Sequence, residues 1–107
     1  MIFEHVVDFE SVFAEAERRR MKDDAQSAIQ HYARAFKMAL DPEQAMRCRH
    51  MIGVCYKMEG RFNEAIAELT NALGDAHDLV DRRAGANISR DRGACWAGIS
   101  DFDKAFE

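Results

Sequence analysis

Proline occurs once in these 107 residues, glycine six times and tryptophan once. So few chain breakers exclude collagen-like and proline-rich linker architectures and leave long stretches free to be helical. No apolar run approaches the ~20 residues that a membrane span requires. The opening residues Met1 to Asp8 have no basic leader and are interrupted by Glu4 and Asp8, which predicts no secretory signal. Cys48, Cys55 and Cys95 are an odd set without disulfide-framework spacing, so a reducing, cytoplasmic setting is expected. A net charge of -4 and a pI near 5.5 argue against bulk nucleic-acid affinity. Length alone gives one domain over 1–107, burying about 65% of its unfolded surface.

Signatures of chemistry are missing as well. The chain has no Gly-rich phosphate loop, no His-Glu-x-x-His and no Gly-x-Ser-x-Gly. His5, His31, His50 and His77 are scattered. Cys48, His50 and Cys55 invite a metal reading, but at about 100° per helical residue Cys48 and Cys55 share a face while His50 points about 200° away. Small buried residues are the better reading for both cysteines. The expectation is therefore a protein with no cofactor, no metal and no catalytic residues.

What the chain does have is helical periodicity. Val6, Phe9, Phe13 and Ala16 predict an amphipathic helix over 6–20, closed by Arg18-Arg19-Arg20-Met21-Lys22, with Asp23-Asp24 capping the next. That basic run is flanked by acids and reads as a solvated helix end rather than a nucleic-acid patch. Ala25, Ala28, Ile29, Tyr32, Ala35, Phe36 and Ala39 mark a second helix over 24–39. Asp41-Pro42-Glu43 restarts the chain, and a third helix runs from 42 to 58, stopped by Gly60. Phe62 to Leu73 is the fourth, ended by Gly74. A helix over 77–98 follows, weakened by Gly85 and Gly93. Ser100 or Asp101 then caps a short last one from Phe102.

Three second-helix starts, at Ala28, Ala65 and Ala105, recur at steps of about 37 and 40 residues. Ala28, Tyr32 and Ala35 match Ala65, Leu69 and Ala72. Gly60-Arg61-Phe62-Asn63-Glu64-Ala65 returns as Ser100-Asp101-Phe102-Asp103-Lys104-Ala105, and Gly93 with Trp96 repeats the spacing of Gly53 with Tyr56. Ile52-Gly53-Val54-Cys55-Tyr56, a turn at Gly60 and the alanine-spaced run after it resemble the tetratricopeptide repeat, whose ideal period is about 34. The resemblance is strong in the middle unit and covers nearly the whole chain. It departs at Glu15-Ala16 and Arg19 in the first unit, Arg49 in the second and Arg92 in the third. It implies an all-α, right-handed solenoid of stacked antiparallel helix-turn-helix repeats, about two and a half of them, over 6–40, 42–74 and 77–107. Small Gly53, Ala65 and Ala72 would let paired helices approach closely.

The resemblance also implies a function: a protein-interaction module holding a peptide or helix in a concave groove lined by each first helix. On helix three, Arg47, His50, Val54 and Lys57 fall opposite the Gly53–Tyr56 face, and Asn87 and Arg90 take the matching places in the third unit. This basic set suits an acidic peptide or a C-terminal carboxylate. A solvated charged face is the competing reading. The family's carboxylate-clamp pattern is not reproduced, since Phe13 and Glu17 stand at the first-unit positions. The third unit stops two or three residues into its second helix, so Trp96, Ile99, Phe102 and Phe106 are expected to lack cover. That predicts either a fragment or self-association into a homo-oligomer, unless a long fifth helix folds back over them. An architectural role in a larger assembly, with no groove ligand, is the alternative function.

Overall fold

The computed structural model of the protein describes residues 7–105, and every regular element in that span is helical. The five helices are α1 (Phe9–Met21), α2 (Ala25–Lys37), α3 (Pro42–Met58), α4 (Phe62–Asp78) and α5 (Arg82–Ala105). Each packs chiefly on the helix before it and the helix after it. The result is elongated, 65 × 31 × 17 Å.

Local chemistry sets the boundaries. Asp8 caps α1 through its carboxylate, which accepts from the Ser11 amide at 2.8 Å, while Ser11 Oγ accepts from the Asp8 amide. This reciprocal cap starts the helix at Phe9 rather than at residue 6, and it leaves Val7 outside and half exposed. Asp24 and Asp41 cap α2 and α3 through their carboxylates alone, which accept from the Ser27 and Gln44 amides, with Pro42 at the first turn of α3.

Three turns share one geometry. Asp23, Gly60 and Val80 have φ of 61°, 73° and 55°. In each case the next residue's amide reaches back five positions: Asp24 to Arg19, Arg61 to Tyr56 and Asp81 to Ala76, all at 2.9 Å. These paired bonds satisfy the last helical carbonyls, the usual end of a helix that stops in a left-handed residue.

The same geometry corrects two boundaries expected from sequence. Gly74 does not end α4, because it is helical and the left-handed residue is Val80. Nor do Ser100 and Asp101 open a new helix. No residue between 82 and 105 has positive φ, so α5 is continuous for 24 residues. Among the described residues the chain is therefore two hairpins followed by one long helix, and the third hairpin is not formed.

Two apolar clusters hold the stack together. Phe9, Val12, Phe13 and Ala16 of α1 meet Ala28, Tyr32 and Ala35 of α2 and Cys48 and Cys55 of α3. Ala65, Leu69 and Ala72 of α4 meet Met46 of α3 and Ile88 and Cys95 of α5. Tyr56 packs against both clusters. Tyr32 is fully buried and sets its ring edge-on to Phe13 at 5.2 Å. Its hydroxyl donates to Glu17 and accepts from Arg20 Nε at 3.2 Å. Burial and the Glu17 carboxylate push this phenol well above its ordinary range.

Gly53 is buried where α3 crosses α4. A β-carbon there would lie 2.6 Å from Leu69 Cγ, so the seam expected at this glycine is present. Cys48, Cys55 and Cys95 are free and fully buried. Burial raises the thiols of Cys48 and Cys55 to about 11 and pushes Cys95 up as well. No helix among the described residues is long and apolar enough to cross a membrane.

Candidate functional site

The odd-numbered helices are joined by polar contacts along one face. From α3, Arg47 Nη1 donates to Glu10 Oε1 of α1 at 3.0 Å. Its guanidinium lies 4.4 Å from the Phe13 ring centroid and 5.5 Å from that of Phe9. One turn on, His50 Nε2 is 2.7 Å from Asp91 Oδ2 of α5. Two turns further, Lys57 Nζ donates to Asp91 Oδ1 at 3.2 Å. With Asp91 ionised, His50 must carry its proton on Nε2. Burial alone would raise the Asp91 carboxyl. The hydrogen bonds and positive charges of His50 and Lys57 outweigh that and hold it below its ordinary value.

Of the expected groove residues, Arg47, His50 and Lys57 line up along α3, and their charge is already matched. Arg47 is paired with Glu10, and His50 and Lys57 divide Asp91 between them. Arg90 Nη2 donates to the neutral Asn87 side chain at 3.1 Å and is exposed. Val54 is half-buried among them. Sequence reasoning missed the two carboxylates. Asp91 was findable, since it lies one turn beyond Asn87 and so faces the same way. Glu10 gives no such signal, because its partner is on another helix 37 residues away.

The opposite side is shaped differently. Arg49 donates to Asp75 at 2.9 Å and lies 5.0 Å from the Phe36 ring centroid. Both border a cleft of about 360 Å³ between α2 and α4, where burial pushes the Glu68 carboxyl up. Within the basic run, Arg18 and Arg19 both donate to Glu15, and Arg20 donates to Glu17 at 2.9 Å. The run is thus matched locally, as a helix end flanked by acids should be. The bonds from Arg19 and Arg18 hold the Glu15 carboxyl at about 2.

Of the residues expected to lack cover, Trp96 is 57% and Phe102 62% exposed, while Ile99 is half-buried. Phe106 lies outside the described residues. The fifth helix is long, yet it does not fold back to hide Trp96. Phe62 of α4 packs where α5 has Gly98, since a β-carbon there would fall 2.5 Å from its ring. Among the described residues, no three His, Cys, Asp or Glu side chains converge to hold a metal ion. Comparison with family models, with curated proteins and with solved structures returned no match.

Proposed function

We propose that this chain is a protein-interaction module of tetratricopeptide type, a right-handed stack whose odd-numbered helices receive an acidic peptide or helix. The observation that carries the reading is the polar face on which Arg47, His50 and Lys57 of α3 meet Glu10 of α1 and Asp91 of α5, with Arg90 bonded to Asn87 in the adjoining turn of α5. Support for the family comes from the close approach of α3 and α4 at Gly53 and from the shared turn geometry of the hairpins.

Binding, rather than catalysis, suits this face because its ionised groups neutralise one another instead of being held apart for proton transfer. A ligand acid that displaces Asp91 would find His50 and Lys57 behind it. Three unpaired thiols suit a cytoplasmic setting.

Selection of a random peptide library on the immobilised protein tests the reading. Acidic sequences should be enriched on the unmodified protein and lost on a Lys57→Glu variant that retains its helical circular dichroism. Enrichment of no class, or of the same class by both proteins, would sink it. The exposed Trp96 favours a second, architectural reading, in which the chain associates without a groove ligand, and a self-associating protein that enriches no peptide class would support it.

A further inference from the structure

The face of α5 turned away from α3 and α4 is lined by Ala86, Ser89, Gly93, Ala97 and Ser100, all exposed. On a helical projection these five lie within about 40° of Gly93. Arg83, Arg90 and Asp101 run along one flank, and Trp96 stands on the other. Phe102 projects about 180° away, on the side that faces α3 and α4, and is no part of this surface.

Among the described residues nothing accounts for Gly93. A mid-helix glycine weakens its helix, and the other two glycines of α5 have neighbours: Phe62 closes on Gly98, and Leu73 Cδ1 borders Gly85 at 3.9 Å. A β-carbon on Gly93 would meet nothing within 4 Å among the described residues beyond its own helix. Gly74 is equally open, but no exposed aromatic or charge pattern accompanies it.

The register of α3 says what kind of object fits. Forty residues earlier, Gly53, Cys55 and Tyr56 stand where α5 has Gly93, Cys95 and Trp96. Cys55 and Cys95 are both fully buried toward the preceding helices. On the other side of α3, Leu69 of a neighbouring helix is seated against Gly53. The equivalent seat on α5 is open, so its natural occupant is a helix.

We propose that the occupant is α5 of a second copy, antiparallel, with the two-fold axis at Gly93. The charge pattern selects this arrangement. Rotation about Gly93 sets Ala86 against Ser100 of the second copy and Ser89 against its Ala97, small residues that allow close approach. Trp96 of each copy then covers Ser89 and Gly93 of the other. Asp101 of each copy comes level with the gap between Arg83 and Arg90 of the other, about 3 Å along the axis from Arg83 and about 7.5 Å from Arg90. Both Arg–Asp contacts occur twice by symmetry. Arg82 and Lys104 approach at the ends of the interface, where solvent screens them. The pairing deepens the interaction-module reading: it draws Arg90 into the dimer contact and leaves Arg47, His50 and Lys57 on the groove face uncovered.

Charge exchange across the axis tests it. By light scattering and sedimentation at high micromolar concentration, the unmodified protein should be a dimer. Asp101→Arg alone and Arg83→Asp alone should each raise the dissociation constant at least tenfold without loss of helical circular dichroism. Mixing these two variants should restore a dimer, because each then supplies the charge the other lacks. A monomeric unmodified protein, a dimer indifferent to both reversals, or a mixture that stays monomeric would each overturn the pairing. None of those outcomes touches the peptide selection, which reads the α3 face through Lys57.

Discussion

Leu69 Cγ of α4 stands 2.6 Å from the position where a β-carbon on Gly53 of α3 would be, and Leu69 Cδ2 stands 2.7 Å from it. Helix propensity favours Gly53→Ala by about 1 kcal/mol. Overpacking opposes it by about 1–3 kcal/mol, and more where a fully buried leucine cannot move aside. Packing wins, so Gly53→Ala should lower stability by about 1–2 kcal/mol in urea unfolding. Gly74→Ala, where nothing lies within 4 Å, should raise it by about 1 kcal/mol. Equal effects at the two sites would mean that α3 and α4 do not meet at Gly53.

Val80 holds a φ of 55° in the α4–α5 turn, a position its branched side chain disfavours. Left-handed backbone costs an L-residue about 1–2 kcal/mol, and the greater freedom of unfolded glycine returns about 0.5–1 kcal/mol of any gain. Val80 is 76% exposed and loses little packing on truncation. Val80→Gly should therefore raise the melting temperature, by a net ~0.5–1 kcal/mol in stability. The converse Gly60→Val, at a φ of 73°, should lower it. A fall on Val80→Gly would place the turn elsewhere.

Asp91 joins α3 to α5 through a carboxyl whose ordinary value is lowered on folding. A depressed acid stabilises the fold above its unfolded value, 3.8 here, and the benefit is lost as pH falls through the lower folded value. Asp91→Asn should therefore cost about 1 kcal/mol near pH 7, a magnitude set by two partly exposed ion pairs. The difference from the unmodified protein should shrink below about pH 4. A gap that stays constant from pH 7 down to pH 3 would show that the carboxylate charge is not what counts.

Cys48 and Cys55 have thiols raised to about 11 by burial. At pH 8 roughly one thousandth of each is thiolate, and neither is reachable from solvent in the folded state. A disulfide reagent should label the native protein no faster than it unfolds, and label all three cysteines at once in denaturant. Rapid stoichiometric labelling of the native form would contradict the packing of α3.

Legibility followed how local the cause was. Asp41-Pro42 and Gly60 bound α3, and each signal acts within one turn of the residue that bears it. Gly74 misled because a glycine ends a helix only when the backbone there turns left-handed. The chain makes that turn at Val80, a residue type that advertises nothing of the kind. Ser100-Asp101-Phe102 resembles the Gly60 turn in sequence, yet none of the three takes a positive φ and the helix runs through. At the polar face, a single-helix projection placed Arg47, His50 and Lys57 together. Their charge state depends on Glu10 and Asp91, which reach them only once three helices are assembled.

One tyrosine ring belongs to both apolar clusters. The two ends of so slender a stack are joined through α3, the helix that bears that residue. Cut back to alanine, Tyr56 should leave the α1–α2 hairpin and the packed α4–α5 pair melting as separate units, so that amide exchange at one end no longer reports the state of the other.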